Sequence, residues 1–105
     1  MLHSHTRIWI HLIWGTKNRE RCMFDKTAIK IHKHLLKRAK KLEIPFEKLR
    51  VEPEHIHGLV NLPTSRQLSK FMQNIKGESS TWINNNGLIK GKFSWQRGYG
   101  GFSVS

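Results

Sequence analysis

Apolar side chains recur along this chain with two periods, and the alternation between them predicts six elements. Between residues 5 and 16, Ile8, Ile10, Leu12 and Trp14 occupy every second position, with Arg7, Trp9, His11 and Ile13 between them. Period two marks a strand, whose side chains alternate between faces. Both sets are substantially apolar, which suits a central strand covered on both sides. From Asp25 to about Leu42 the spacing changes to three and four. Ala28, Ile31, Leu35, Ala39 and Leu42 line one side of a helix with Asp25 as its N-cap. Glu43-Ile44-Pro45 ends it, and a second strand, Phe46 to Glu54, leads into a third. There Ile56, Gly58, Val60 and Leu62 alternate with His55, His57, Leu59 and Asn61 between Pro53 and Pro63.

Thr64 and Gln67 have the spacing of a capping box, and Leu68, Phe71, Met72, Ile75, Ser79, Trp82 and Ile83 keep helical spacing to Asn84. Gly77 costs that helix about 1 kcal/mol against Ala. It implies close packing or the close approach of a ligand backbone, and close packing is the simpler account. Asn84-Asn85-Asn86-Gly87 marks a loop. A last extended segment runs from Phe93 to Ser105, its glycines implying a bend or bulge.

Strand, helix, strand, strand, helix, strand is the split βαβ order. It predicts an α+β, ferredoxin-like fold: a four-stranded antiparallel sheet with both helices on one face. Strands one and three are then the central pair, so His55 and His57 sit in mid-sheet beside the strand that carries His11. The apolar faces meet the helices, and the face with the histidines and Trp9 is left without a cover.

At 105 residues the chain has room for one domain, 1–105, and its 37% hydrophobic content with four Trp indicates a folded globule. Nineteen Lys and Arg against seven Asp and Glu leave a formal charge of +12. Such an excess repels itself and favours a polyanionic partner, nucleic acid first. A membrane surface fits less well, since no helix sets Lys on one face against Trp and Phe on the other. The lone Cys22 excludes an intramolecular disulfide and a cysteine-based zinc site. With no signal peptide and no apolar run near ~18 residues, a cytoplasmic, nucleoid-associated protein is expected.

Candidate phosphate contacts cluster in three places. Lys17, Arg19 and Arg21 follow the first strand, and Lys76 lies off the apolar stripe of the second helix. Lys92 and Arg97 interleave with Phe93, Trp95 and Tyr99, as in a strand that stacks bases and holds phosphates. Solvated loop charges and core aromatics are the plainer alternatives. Lys26, Lys30, Lys33, Lys37 and Lys41 read as a wet helix face.

His55 and His57 share one face roughly 7 Å apart along the strand, a spacing that lets two imidazoles converge on one metal ion. Polar residues on a solvated face are the alternative. Strand parity turns Glu52 and Glu54 away from the pair, unless the chain turns between Pro53 and His55. A cupin would place Glu three or four residues after the second His, and residues 58–62 contain none. Histidine-triad hydrolases need a third alternating His, where this chain has Leu59; a non-haem iron site wants a neighbouring carboxylate.

Four stretches carry a closer likeness. They are His11-Leu12-Ile13-Trp14-Gly15-Thr16-Lys17-Asn18-Arg19, Glu54-His55-Ile56-His57, Lys76-Gly77-Glu78-Ser79-Ser80, and Trp95-Gln96-Arg97-Gly98-Tyr99-Gly100-Gly101-Phe102-Ser103-Val104-Ser105. In this order the chain resembles the IS200/IS605-like transposases of the single-tyrosine HUH (His, hydrophobic, His) group, and among them the repeat-associated tyrosine transposases. The resemblance implies Mg²⁺ or Mn²⁺ on His55 and His57, single-stranded DNA with hairpin ends as partner, a homodimer, and DNA transposition by strand cleavage and transfer. It also implies a nucleophilic tyrosine on a helix following the Gly101-to-Ser105 segment. Tyr99, the one tyrosine present, matches the strand motif and not the nucleophile. The expectation is therefore an IS200-like domain lacking its C-terminal catalytic helix. A non-catalytic single-stranded nucleic-acid-binding module is the alternative, and RNA recognition by the open sheet face a weaker third.

Overall fold

β1 (Ile8–Gly15) and β3 (His55–Leu62) pair antiparallel along their whole lengths, Ile8 opposite Leu62 and Gly15 opposite His55. The computed structural model describes residues 7–63 and 66–104. β2 (Phe46–Val51) flanks β3 and β4 (Gly100–Val104) flanks β1, giving an antiparallel sheet of order β2-β3-β1-β4. Helices α1 (Asp25–Lys41) and α2 (Arg66–Asn85) complete the α+β, ferredoxin-like arrangement that the element order predicts. No helix among the described residues is long and apolar enough to cross a membrane.

The two-residue period decides which side is core. Ile10, Leu12 and Trp14 of β1 and Ile56, Val60 and Leu62 of β3 are buried with Ile31, Leu35 and Ala39 of α1 and Phe71, Met72, Ile75 and Ile83 of α2. Met23 is also buried, inside a connection whose polar sequence conceals it. The other sheet face is open, contrary to the expectation of a strand covered twice: Trp9, Phe102 and Val104 are exposed there.

β2 departs from simple alternation. Phe46 stands opposite Val60 and Lys48 opposite Leu59, so two residues of β2 span one of β3 and a bulge falls at Glu47. The bulge switches parity. Phe46, Leu49 and Val51 lie across from the inward Val60, Gly58 and Ile56, while Lys48 and Arg50 lie across from Leu59 and His57.

Other boundaries shift for local reasons. Asp25 is no cap: it opens the helix with φ 47°, Phe24 holds the N-cap position, and no side chain caps there. β2 stops at Val51, where Glu52 N–H donates to His55 O at 2.8 Å and the hairpin turns through Pro53 and Glu54. The last strand begins only at Gly100, after a turn with φ 83° at Gly98. Residues 5–6 of the first predicted strand and the Thr64 cap lie outside the described residues. Gly77 is not a packing glycine among the described residues, since a Cβ there would meet none of them within 4 Å.

Gly58 is one. A Cβ on it would lie 2.7 Å from Phe46 Cε1, and the Phe46 ring is itself packed against Trp14 and Phe71. Gly58→Ala is expected to lose about 1–3 kcal/mol of unfolding free energy through overpacking. Gly77→Ala should gain up to about 1 kcal/mol. Urea denaturation of both variants checks the pair of opposite signs.

Candidate functional site

The histidine face is built from three chain segments fastened to one another. Beyond β1, Thr16 N–H donates to Glu54 O and Lys17 N–H to Ser94 O, while Gln96 N–H returns to Gly15 O. The Lys17–Arg19 turn is left-handed at Asn18 (φ 59°) and Arg19 (φ 52°), a conformation unusual for arginine. α2 holds the third segment from behind. Lys76 Nζ donates to the carbonyls of Gln96 and Gly98, both at 2.7 Å, and burial lowers the pKa of its ammonium. Trp95 Nε1 donates to Ser79 Oγ at 2.9 Å.

Within that frame His55 and His57 project together from β3. Their Nε2 atoms stand 2.8 Å apart. His55 Nδ1 donates to Glu54 Oε1 at 2.9 Å, and Arg21 Nη1 donates to Glu54 Oε2 at 2.8 Å. The turn through Pro53 thus defeats the parity argument against Glu54, whose carboxylate sits beside the pair. Partial burial raises the Glu54 carboxyl, but the His55 hydrogen bond and the Arg21 charge outweigh it and hold it below the ordinary carboxylate range. His57 Nδ1 lies 3.3 Å from His11 Nε2, with the two rings stacked at 5.3 Å.

These contacts leave the two Nε2 atoms within hydrogen-bond distance of each other. A divalent cation held by two cis nitrogens at roughly 2.1 Å separates them by roughly 3 Å, close to the spacing present. A carboxylate on the far nitrogen of His55 also matches the way proteins orient metal-binding imidazoles. Among the described residues no cluster of three or more His, Cys, Asp or Glu forms that could hold a metal. The donor set here is two imidazoles.

A cleft of about 470 Å³ opens beside the pair, lined also by Arg19, Gln96, Arg97, Tyr99 and Phe102. Of the basic residues singled out in the sequence, Arg19 and Arg97 share a cleft with the histidines. Lys17 and Lys92 line a separate cleft of about 250 Å³ with Asn18 and Phe93. Arg21 is paired with Glu54. Lys76 is spent on carbonyls, and Trp95 is 8% exposed, edge-on to Trp14 and Phe93 in the core. Gln96 carried no signal of its own in the sequence, and strand parity argued against Glu54 only for a chain that does not turn between Pro53 and His55. The Pro53 turn was the available signal for Glu54.

The family model "Transposase IS200 like" matches residues 4–105. Among solved structures the chain is similar to a protein of Deinococcus radiodurans R1 described as a candidate transposase. The identity is 24% and the TM-score 0.88, over 100% of this chain and 85% of that one. It is also similar to a REP-associated tyrosine transposase bound to a REP hairpin, at 17% identity and TM-score 0.68, over 100% of this chain and 61% of that one. At these identities the likeness is one of fold. No curated protein matches the chain.

Burial first, then the charges of His55, His11 and Arg50, push the His57 imidazole below its usual pKa, with Glu52 opposing. Folded His57 therefore stays neutral where the unfolded chain already binds a proton. Its contribution to stability is complete above the unfolded value of about 6.5 and declines as pH falls through it. In chelator-containing buffer, unfolding free energy should drop more steeply from about pH 8 to about pH 5 in the wild type than in His57→Gln. Parallel slopes would contradict the assignment.

Proposed function

The chain belongs to the IS200-like transposase family, and on that premise we propose that residues 1–105 form one domain that binds hairpin-bearing single-stranded DNA and holds Mg²⁺ or Mn²⁺ on His55 and His57. The observation that carries this reading is the convergence of the two Nε2 atoms, 2.8 Å apart, at the mouth of a cleft lined by Arg19 and Arg97.

Bound there, the ion would supply Lewis-acid stabilisation for the scissile phosphate and the departing 3′ oxygen. The chain's own residues do the rest of the positioning. Glu54, anchored by Arg21, fixes the tautomer and orientation of His55 by taking its Nδ1 proton as a hydrogen bond. Arg19 and Arg97 would neutralise phosphates in the cleft, and Lys17 and Lys92 extend the basic surface beyond them. Lys76 and Trp95 act indirectly, by holding the segment that carries Arg97.

In the cleavage step a tyrosine oxygen attacks phosphorus, forming a phosphotyrosyl bond to the 5′ side as the 3′ oxygen leaves with the bonding electrons. Tyr99 is the one tyrosine of the sequence and lines the cleft. Tyr99 is part of the wall, and the nucleophile is a tyrosine outside residues 1–105. The protein works as a homodimer in the cytoplasm, in keeping with the exposed Trp9 and Phe102 on its open sheet face.

Two measurements test this. Calorimetric titration with Mn²⁺ should show one site, lost in His55→Ala and in His57→Ala and weakened about ten-fold in Glu54→Gln. Unchanged affinity in the histidine variants would remove the metal from the mechanism. Incubation of the 105-residue chain with hairpin-bearing single-stranded DNA and Mn²⁺ should give binding without a covalent adduct. An adduct abolished by Tyr99→Phe would move the nucleophile to Tyr99. Salt-sensitive binding with no metal effect in any form of the protein would favour the non-catalytic module.

A further inference from the structure

The bulge at Glu47 has a chemical result on the other side of the sheet. Simple alternation from the buried Phe46 would send Lys48 and Arg50 toward the core. The extra residue reverses them, placing Arg50 directly across from His57 and Lys48 across from Leu59. On one strand face two such side chains stand roughly 7 Å apart. Both are exposed. They line a second cleft, of about 440 Å³, together with His11, His57, Leu59 and Val104. His57 is the shared wall between this cleft and the one holding Arg19 and Arg97.

Among the described residues neither cation is committed elsewhere. There Arg50 pairs with Glu52, at 3.5 Å with 72% of its side chain exposed, an arrangement that contributes little. Among the described residues Lys48 has no ion-pair partner. Among the described residues Glu52 is the carboxylate paired with Arg50, and the track of Lys48 and Arg50 leads away from the histidine pair.

We propose that Lys48 and Arg50 form a second phosphate-binding track, over which a single DNA strand continues after passing the histidine cleft. Its phosphates lie on the two cations and its bases face Leu59 and Val104. The inference rests on the proposed DNA-binding function and extends it across β2, whose bulge serves to turn these side chains to the DNA side. The competing account is that β2, an edge strand, carries charge and a bulge only to discourage pairing with other chains.

Fluorescence anisotropy with a labelled DNA hairpin carrying a single-stranded flank separates these accounts. The titrations are run without metal at several salt concentrations. Lys48→Ala/Arg50→Ala should bind about ten-fold more weakly at low salt. The slope of log affinity against log salt should fall by about 1.4, at about 0.7 per single-strand phosphate contact. Lys48→Glu/Arg50→Glu should bind more weakly still. Unchanged affinity and slope, with loss of solubility alone, would overturn the track in favour of edge protection. If Arg19→Ala/Arg97→Ala weakens binding while the β2 variants do not, the track fails and the DNA-binding reading stands. If the wild type does not bind the probe, both fall.

Discussion

The central constraint is the register between β1 and β3. Leu12 opposite Gly58 and Ile13 opposite His57 fix which residues enter the core and which stay outside. Because side chains alternate strictly, a slip of one residue would exchange the two sets at once. Ile56, Val60 and Leu62, all with no exposed surface, would be forced into water, and two imidazoles would be forced among aliphatic groups. Burial of those three side chains, at about 1.5–3 kcal/mol each, holds the histidines on the outer face. The site is therefore specified by the core behind it.

Orientation is a separate problem from register, and loops solve it. The end of β1, the Pro53-Glu54 turn and residues 94–98 share backbone hydrogen bonds, so no one of them moves independently. Glu54 is the junction: its carbonyl accepts from Thr16 N–H, and its carboxylate links Arg21 to His55. A carboxylate used in this way stabilises one rotamer and one tautomer of the ring. The left-handed Arg19 fits the same logic, as local strain tolerated where the surrounding bonds determine the conformation.

The topology was legible because its elements have clean periods: β1 and β3 at two, α1 and α2 at three and four. The shared outward face of His55 and His57 followed from the same arithmetic. Parity argued against Glu54, but it applies only inside a strand, and the strand begins one residue later. Lys48 and Arg50 were invisible because a bulge leaves no composition signal in Phe46-Glu47-Lys48-Leu49. Trp95 and Lys76 sit in a sequence that alternates aromatic and basic residues, a pattern shared by base-stacking surfaces and by a loop pinned to a helix. Only the hydrogen bonds to Ser79, Gln96 and Gly98 distinguish the two. Gly77 shows the reverse case, a residue whose helix cost is not explained by any neighbour in the fold.

The two ends of the final segment are held very unequally. Among the described residues β4 pairs with β1 alone and buries none of its side chains, so it belongs to the first part of the molecule to open when the native state fluctuates. Unzipping from that side meets a stop at Gly98, where the Lys76 ammonium grips the chain. The fold can thus shed its outermost strand, or trade it for another pairing, while Arg97 keeps its place in the cleft it shares with the imidazoles.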